Sequence, residues 1–327
     1  MRRKLFSLTI LPASLTLALL SVSSAGLHAQ SSGESSQQQK EVVVTIDDLP
    51  LNGPQFEAGR LRTMTDKFLA AINKHQIPAV GFVNESLLYR PGETDARIAI
   101  LKAWLDGGVE LGNHTFSHLG FQNTPLAEYQ DDFIRGEAVT RMLMKQKGRK
   151  ARYFRHPFLQ MGTTREIEKS FENFIAERGY QAAPVTIDIL DWLILSADSN
   201  ARTQGDLEMM KRVSEEYLKF AERKFEFCEQ VATELFGRPI KHILLLHANE
   251  LTADNLDGLA TMLKNRGYRF ITLEEALKDP IYQAPEKYRD TSDWLSHWAL
   301  SKEIKSNPPM PPDFIQKAYQ DNQKRRP

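Results

Sequence analysis

Between Val43 and His247 the chain repeats one pattern: a short β-branched or aliphatic run that ends in an acid, an arginine or a histidine. Val42–Ile46 ends at Asp47-Asp48, and Val109–Leu111 leads through Gly112-Asn113 to His114. Tyr153-Phe154 precedes Arg155, Gln181–Ile187 precedes Asp188, and His242–Leu246 ends at His247. Ala79–Val83 and Tyr268–Phe270 are further strand candidates. Helical periodicity fills the gaps: Arg60–Lys74, Ala96–Asp106, Leu126–Lys147 as one long amphipathic helix, Thr163–Arg178 with Gly179 past its end, Asp206–Phe236 with a bend, Ala253–Lys264, and a last turn at Leu273–Leu277. This alternation predicts an α/β fold of parallel strands joined by helical crossovers. Such a fold collects the C-terminal strand ends on one face, whether the sheet is doubly wound or closed. Polar ends spread over the whole chain, yet needing to meet, favour a barrel. The stretch 41–278 forms that domain. The Pro- and charge-rich tail 279–327 contains Trp294, Leu295, Trp298 and Leu300, which predict a segment docked on the barrel.

Composition narrows the function classes. The 327 residues suffice for one large α/β domain with a sizeable core. Lys+Arg and Asp+Glu are both 42, so there is no basic excess to suit a nucleic-acid partner. A single cysteine, Cys228, excludes an intramolecular disulfide; its helical, aromatic setting reads as a core residue, not a nucleophile. Arg2, Arg3 and Lys4, an apolar run from Leu5 to about Leu20, and small residues before Ala29 (or Ala25) follow the order of a secretory signal peptide over 1–29. The polar, Ser- and Gln-rich stretch 30–40 reads as a disordered leader. No later segment is long and apolar enough to span a bilayer, so the expected location is periplasmic or secreted, without stable membrane insertion.

Each polar strand end has an ordinary reading and a chemical one. Asp47-Asp48 can be a solvated turn or helix cap. Two adjacent acids behind a buried strand nevertheless raise each other's pKa unless a cation is near, and one can then bind metal while the other stays a base. His114-Thr115-Phe116-Ser117-His118 carries two histidines four apart, which on one helical turn would grip one ion. Arg155 can pair with a carboxylate and keep it ionised, or make a surface ion pair of little worth. Asp188-Ile189-Leu190-Asp191-Trp192 offers two acids beside an aromatic wall or an ordinary loop around a core Trp, and His247 can be a catalyst or a hydrogen-bonded strand end.

Taken in chain order, TIDDLP, HTFSH, RHPF, DILDW and LLLH resemble the polysaccharide deacetylase family, also known as the NodB-homology or carbohydrate esterase family 4 enzymes. The resemblance implies a distorted (β/α) barrel as a single catalytic domain, and one divalent metal, most often zinc, on Asp48, His114 and His118. By position, Asp47 resembles the general base, Arg155 the arginine that orients it, and His247 the general acid. Asp191, or else Asp188, would tune that acid. Phe158 resembles the residue whose backbone N–H helps form an oxyanion hole, and Trp192 and Leu245 resemble the apolar walls that receive the acetyl methyl. The implied activity is hydrolytic removal of N-acetyl groups from an amino-sugar polysaccharide or oligosaccharide. The chain departs from the family pattern at Leu49-Pro50, where Gly commonly follows the two acids, and at Phe158, where Tyr is commoner. The stretch after Asp191 also carries a long helical insertion, 205–238.

The motifs leave amide and ester substrates open, so an O-acetyl carbohydrate esterase such as an acetyl-xylan esterase, or a cyclic-amide hydrolase, is the nearest alternative. A non-catalytic sugar-binding module would normally have lost a base or a ligand, whereas Asp47, Asp48, His114, His118 and His247 are all present. A structural surface protein would make the ordered motif set a coincidence.

Overall fold

Strand β1 (Lys40–Leu49) is buried on both faces from Val42 onward, as a central parallel strand must be. Its side chains part by the period of two. Val42, Val44 and Ile46 join the large cluster formed with the helices, whereas Val43 joins a smaller cluster of strand side chains that includes Val80, Phe82, Tyr153 and Ile243. The computed structural model describes residues 39–53, 56–284, 293–304 and 307–325. The expected signal segment 1–29 and all but the last two residues of the 30–40 leader lie outside these.

The remaining strands are β2 (Val80–Val83), β3 (Glu110–Asn113), β4 (Tyr153–Phe154), β5 (Gln181–Ala182), β6 (Ile187–Asp188), β7 (Lys241–His247) and β8 (Tyr268–Phe270). All ladders are parallel, in the order β5-β4-β3-β2-β1-β7-β6, with β8 pairing the first residues of β1. The sheet curls into a half-barrel with helices packed around it, the distorted barrel expected. Helices α1 (Ala58–His75), α2 (Thr94–Asp106), α3 (Leu126–Arg135), α4 (Ala138–Gln146), α5 (Arg165–Glu177), α6 (Asp191–Gln204), α7 (Leu207–Phe236), α8 (Glu250–Asn265) and α9 (Leu273–Ala276) connect the strands. Helix α1 shows why: Leu61, Met64, Phe68 and Ile72 recur at helical spacing and are all buried. Among the described residues no helix is long and apolar enough to cross a membrane.

Three helical stretches bear comparison with the sequence. The single helix expected over 126–147 is two, because Gly136 and Glu137 interrupt it. The carboxylate of Glu85, just past β2, accepts the N–H groups of Val139 (3.0 Å) and Thr140 (2.7 Å), satisfying the first turn of α4 from outside. Gly136 lies against the 114–118 loop so closely that a Cβ there would sit 2.4 Å from the Thr115 carbonyl carbon. Second, Asp191-Trp192 is the start of a helix, α6, and not a loop. Third, the helix expected over 206–236 is present as α7, one continuous 30-residue helix from Leu207.

The tail forms α10 (Trp294–Ser301) and α11 (Asp313–Lys324). Leu295 and Trp298 are buried, with Trp298 edge-on to Phe236 of α7 at 5.4 Å, while Leu300 points outward, 39% exposed. Helix α11 packs on α6 and buries Ile315.

Gly136→Ala is expected to destabilise the protein by about 1–3 kcal/mol, the usual cost of overpacking against atoms that cannot yield. The clash falls on the Thr115 backbone between His114 and His118, so divalent-metal affinity should fall with stability. Thermal unfolding with and without metal measures both, and wild-type values in each would refute the close approach.

Candidate active site

The alternation that places Val43 inside the barrel also places Thr45 and Asp47 there. In β7 the same period puts Ile243, Leu245 and His247 on the interior face, with Leu244 and Leu246 among the helices. The β1–β7 register makes Asp47 and His247 direct partners. Two of the expected polar strand ends are therefore adjacent by strand geometry alone.

Asp47 is 2% exposed. Arg155, entering from β4 and also buried, places Nη1 3.3 and 3.2 Å from its two oxygens. The guanidinium is itself fixed: Nε donates to the Ala183 carbonyl (2.7 Å) and Nη2 to Thr45 Oγ1 (3.1 Å). Burial raises the Asp47 carboxyl above its ordinary range, while Arg155 and then His247 pull the other way.

Asp48, the next residue, faces the histidines. Its Oδ1 lies 3.5 Å from His114 Nε2 and 3.3 Å from His118 Nε2, and that buried oxygen has no hydrogen-bond partner. Asn52 donates to Oδ2 at 2.5 Å. His114 Nδ1 sits 2.7 Å from the Arg155 carbonyl oxygen, which can only accept, so Nδ1 carries the proton and Nε2 the lone pair. Burial pushes the His114 imidazole down to about 3, keeping it neutral. Ligand atoms of Asp48, His114 and His118 lie within 4.8 Å of one another. A buried carboxyl oxygen without a hydrogen-bond partner and a neutral imidazole nitrogen, crowded together, suit a divalent cation, and the mixed O and N set with an outer carbonyl on His114 fits zinc chemistry.

The two histidines do not achieve this on a helical turn, as their spacing suggested. They lie on a loop in which Thr115 (φ 64°) and His118 (φ 57°) are left-handed. Asp48, Phe158, Leu159 and Leu190 are left-handed too, and among the described residues only Gln76 and Glu303 share that non-glycine conformation elsewhere. Each such residue costs on the order of 1–3 kcal/mol, and such strain clusters at functional sites.

His247 is gripped by Asp191. Nδ1 lies 2.7 Å from Oδ1, and the His247 backbone N–H donates to Oδ2 at 2.7 Å. Thr252 Oγ1 (2.8 Å) also donates to Oδ2. Burial alone would lower the His247 pKa, but Asp191 outweighs it and holds the imidazolium up at about 10. Asp188, the other acid of the segment, instead accepts the Leu190 N–H (2.8 Å) and the Trp192 indole N–H (3.4 Å).

Of the remaining expected residues, Phe158 is 54% exposed, with its ring edge-on to His118 at 4.5 Å. Among the described residues no hydrogen bond engages its backbone N–H. Leu245 is buried with Leu159 and Val185. Trp192 is half-buried. Asn52, Thr45 and Thr252 were not anticipated as site residues. Asn249, which caps α8 through Thr252 N–H (2.9 Å), would have pointed to Thr252 as a residue near His247.

The polysaccharide deacetylase family model matches residues 34–182. The chain is 23% identical over 240 residues to a peptidoglycan-N-acetylglucosamine deacetylase of Bacillus cereus, covering 71% of this chain and 66% of that one. It is 22% identical over 256 residues to the peptidoglycan-N-acetylglucosamine deacetylase PgdA of Listeria monocytogenes, covering 78% of this chain and 42% of that one. The chain thus spans less than two thirds of these relatives' length. Among solved structures, a mutant of a CE4 family pseudoenzyme with restored enzymatic activity, whose wild type is from Bacillus anthracis, is 21% identical with a TM-score of 0.50, covering 74% of this chain and 68% of that one. That likeness concerns the fold. Asp47, Asp48, His114, His118, Arg155 and Phe158 all fall inside the stretch matched by the family model, so the residues of the site lie where this chain is similar to the polysaccharide deacetylases.

Proposed function

We propose that this protein is a metal-dependent hydrolase that removes N-acetyl groups from an amino-sugar polymer or oligosaccharide. The observation that carries this reading is the Asp48–His114–His118 cluster flanked by two differently held groups, Asp47 on Arg155 and His247 on Asp191. Asp48, His114 and His118 would hold the cation, and their mixed oxygen and nitrogen donors suit zinc. Such a cation supplies Lewis acidity toward a carbonyl and acidifies water.

The chain's own groups do the rest. Asp47, oriented by Arg155 and made more basic by its burial, accepts the proton of the attacking water. The Phe158 N–H can donate to the oxygen that becomes negative. His247, held as an imidazolium by Asp191, donates its proton to the departing amine, which leaves poorly as an anion. Trp192 and Leu245 would enclose the acyl methyl. Acetate release from N-acetylglucosamine oligomers, peptidoglycan and acetylated xylan tests the reading. Release from the xylan alone would replace it by the O-acetyl esterase reading, and release from none would remove the activity. We also propose export with loss of residues 1–29 or so, which the mass of the mature protein from its native host would check; an intact Met1 contradicts it.

The acid role has a pH signature. His247 must be protonated to act, so activity is present below its pKa and lost as pH rises through it. With Asp191 in place that limb lies near pH 10. Asp191→Asn removes the charge that outweighs burial, so the pKa should drop to the ordinary histidine value of about 6.5 or lower. The alkaline limb of kcat should move by several pH units, with turnover at pH 8 largely lost. An unmoved limb would remove His247 as the acid.

A further inference from the structure

The C-terminal helix α11 lies outside the stretch matched by the family model, yet it reaches the candidate site. Tyr319 meets Trp192 edge-to-face, with ring centroids 5.4 Å apart and planes at 76°. Trp192 follows Asp191 directly, and its backbone N–H donates to the same Asp191 oxygen that holds His247 Nδ1 (2.9 Å). The indole N–H itself donates only the long 3.4 Å hydrogen bond to Asp188 among the described residues. One long hydrogen bond does not fix the rotation of a half-buried indole, whereas an added edge-to-face contact does. Helix α11 is itself anchored: Ile315 is fully buried, the Arg212 guanidinium covers the Phe314 ring 4.2 Å from its centroid, and Asn322 donates to Asn200 of α6 (3.3 Å). The tail also touches the opposite apolar wall, because the Trp294 N–H donates to the carbonyl of Val185 (2.8 Å), which packs with Leu159 and Leu245.

We propose that Tyr319 is a positioning residue that holds the Trp192 indole in place and so limits the size of the acyl group the site accepts. The inference rests on the deacetylase reading above. With Tyr319 in place the indole is a fixed wall; without it the indole can swing aside and make room for one more methylene. A hydrophobic pocket discriminates one methylene by about 10- to 200-fold, which sets the scale of what can be lost.

The test compares zinc-loaded full-length protein on N-acetyl- and N-propionyl-glucosamine oligomers. Tyr319→Ala and Tyr319→Leu should each cut the preference in kcat/KM for acetyl over propionyl by roughly fivefold or more. Zinc content should stay at the wild-type value, and the Trp192 indole ¹⁵N–¹H resonance should shift. Tyr319→Phe, which keeps the ring edge, should behave as wild type. Tyr319→Leu keeps an apolar side chain against α6, so loss of folding in the Ala variant would leave the comparison intact. Wild-type selectivity in the Ala or Leu variant overturns the inference, even if the indole resonance moves. A zinc-loaded wild type inactive on both oligomers would instead sink the deacetylase reading, and this inference with it.

Discussion

His114→Ala should abolish tight binding of the cation and, with it, acetate release. His114 is the most constrained of the three candidate ligands: it is 2% exposed, neutral at physiological pH, and aimed by the Arg155 carbonyl. Loss of an outer partner of a ligand typically costs about 10–100-fold in metal affinity, and loss of the ligand itself should cost more. Zinc at about 100 times its dissociation constant should stabilise the wild type by roughly 2.7 kcal/mol. The variant should show no such gain at the same zinc concentration. Thermal unfolding in chelator and in zinc separates this from general damage, because only a ligand role removes the difference between the two curves. A variant that retains a full equivalent of zinc would refute the assignment.

Asp47→Asn should keep the metal and lose activity by a factor on the order of 10² to 10⁴, the usual contribution of a positioned general base. The two neighbouring acids are distinguished by their partners. Both Asp47 oxygens are engaged by Arg155, whereas Asp48 Oδ1 is buried without a hydrogen-bond partner and faces two imidazoles. Asp48→Asn should therefore lose metal where Asp47→Asn does not. Metal analysis beside turnover for both variants decides the matter, and the opposite pattern would mean that the roles are reversed.

The architecture was legible in the sequence because it depends on short-range pattern. The Val42–Ile46 and His242–Leu246 runs and their terminal acids and histidine specify strands buried on both faces, and the period of two then carries Asp47 and His247 to the interior. What was hidden depends on contacts distant in sequence. The break at Gly136 is set by Glu85 and by the Thr115 backbone, neither of which alters the helical periodicity of 126–147. The 114–118 segment has helical histidine spacing but is held in a strained loop, with Asp132 accepting the Ser117 N–H at 2.9 Å. Helix α6 was concealed because its N-cap, Leu190, is left-handed, a conformation that a leucine does not advertise. The choice between Asp188 and Asp191 could not be read from spacing either; it is the distance to His247 that separates them.

In the proposed function, hydrolysis depends on a cation at Asp48, His114 and His118. The most direct test is acetate release from N-acetylglucosamine oligomers by the full-length protein, stripped by chelator and then titrated with zinc while bound metal is measured on the same samples. The stripped protein should release no acetate, and release should rise in proportion to occupancy and end at one zinc per chain. Undiminished release from metal-free protein, or none from protein carrying its full zinc, would contradict that dependence.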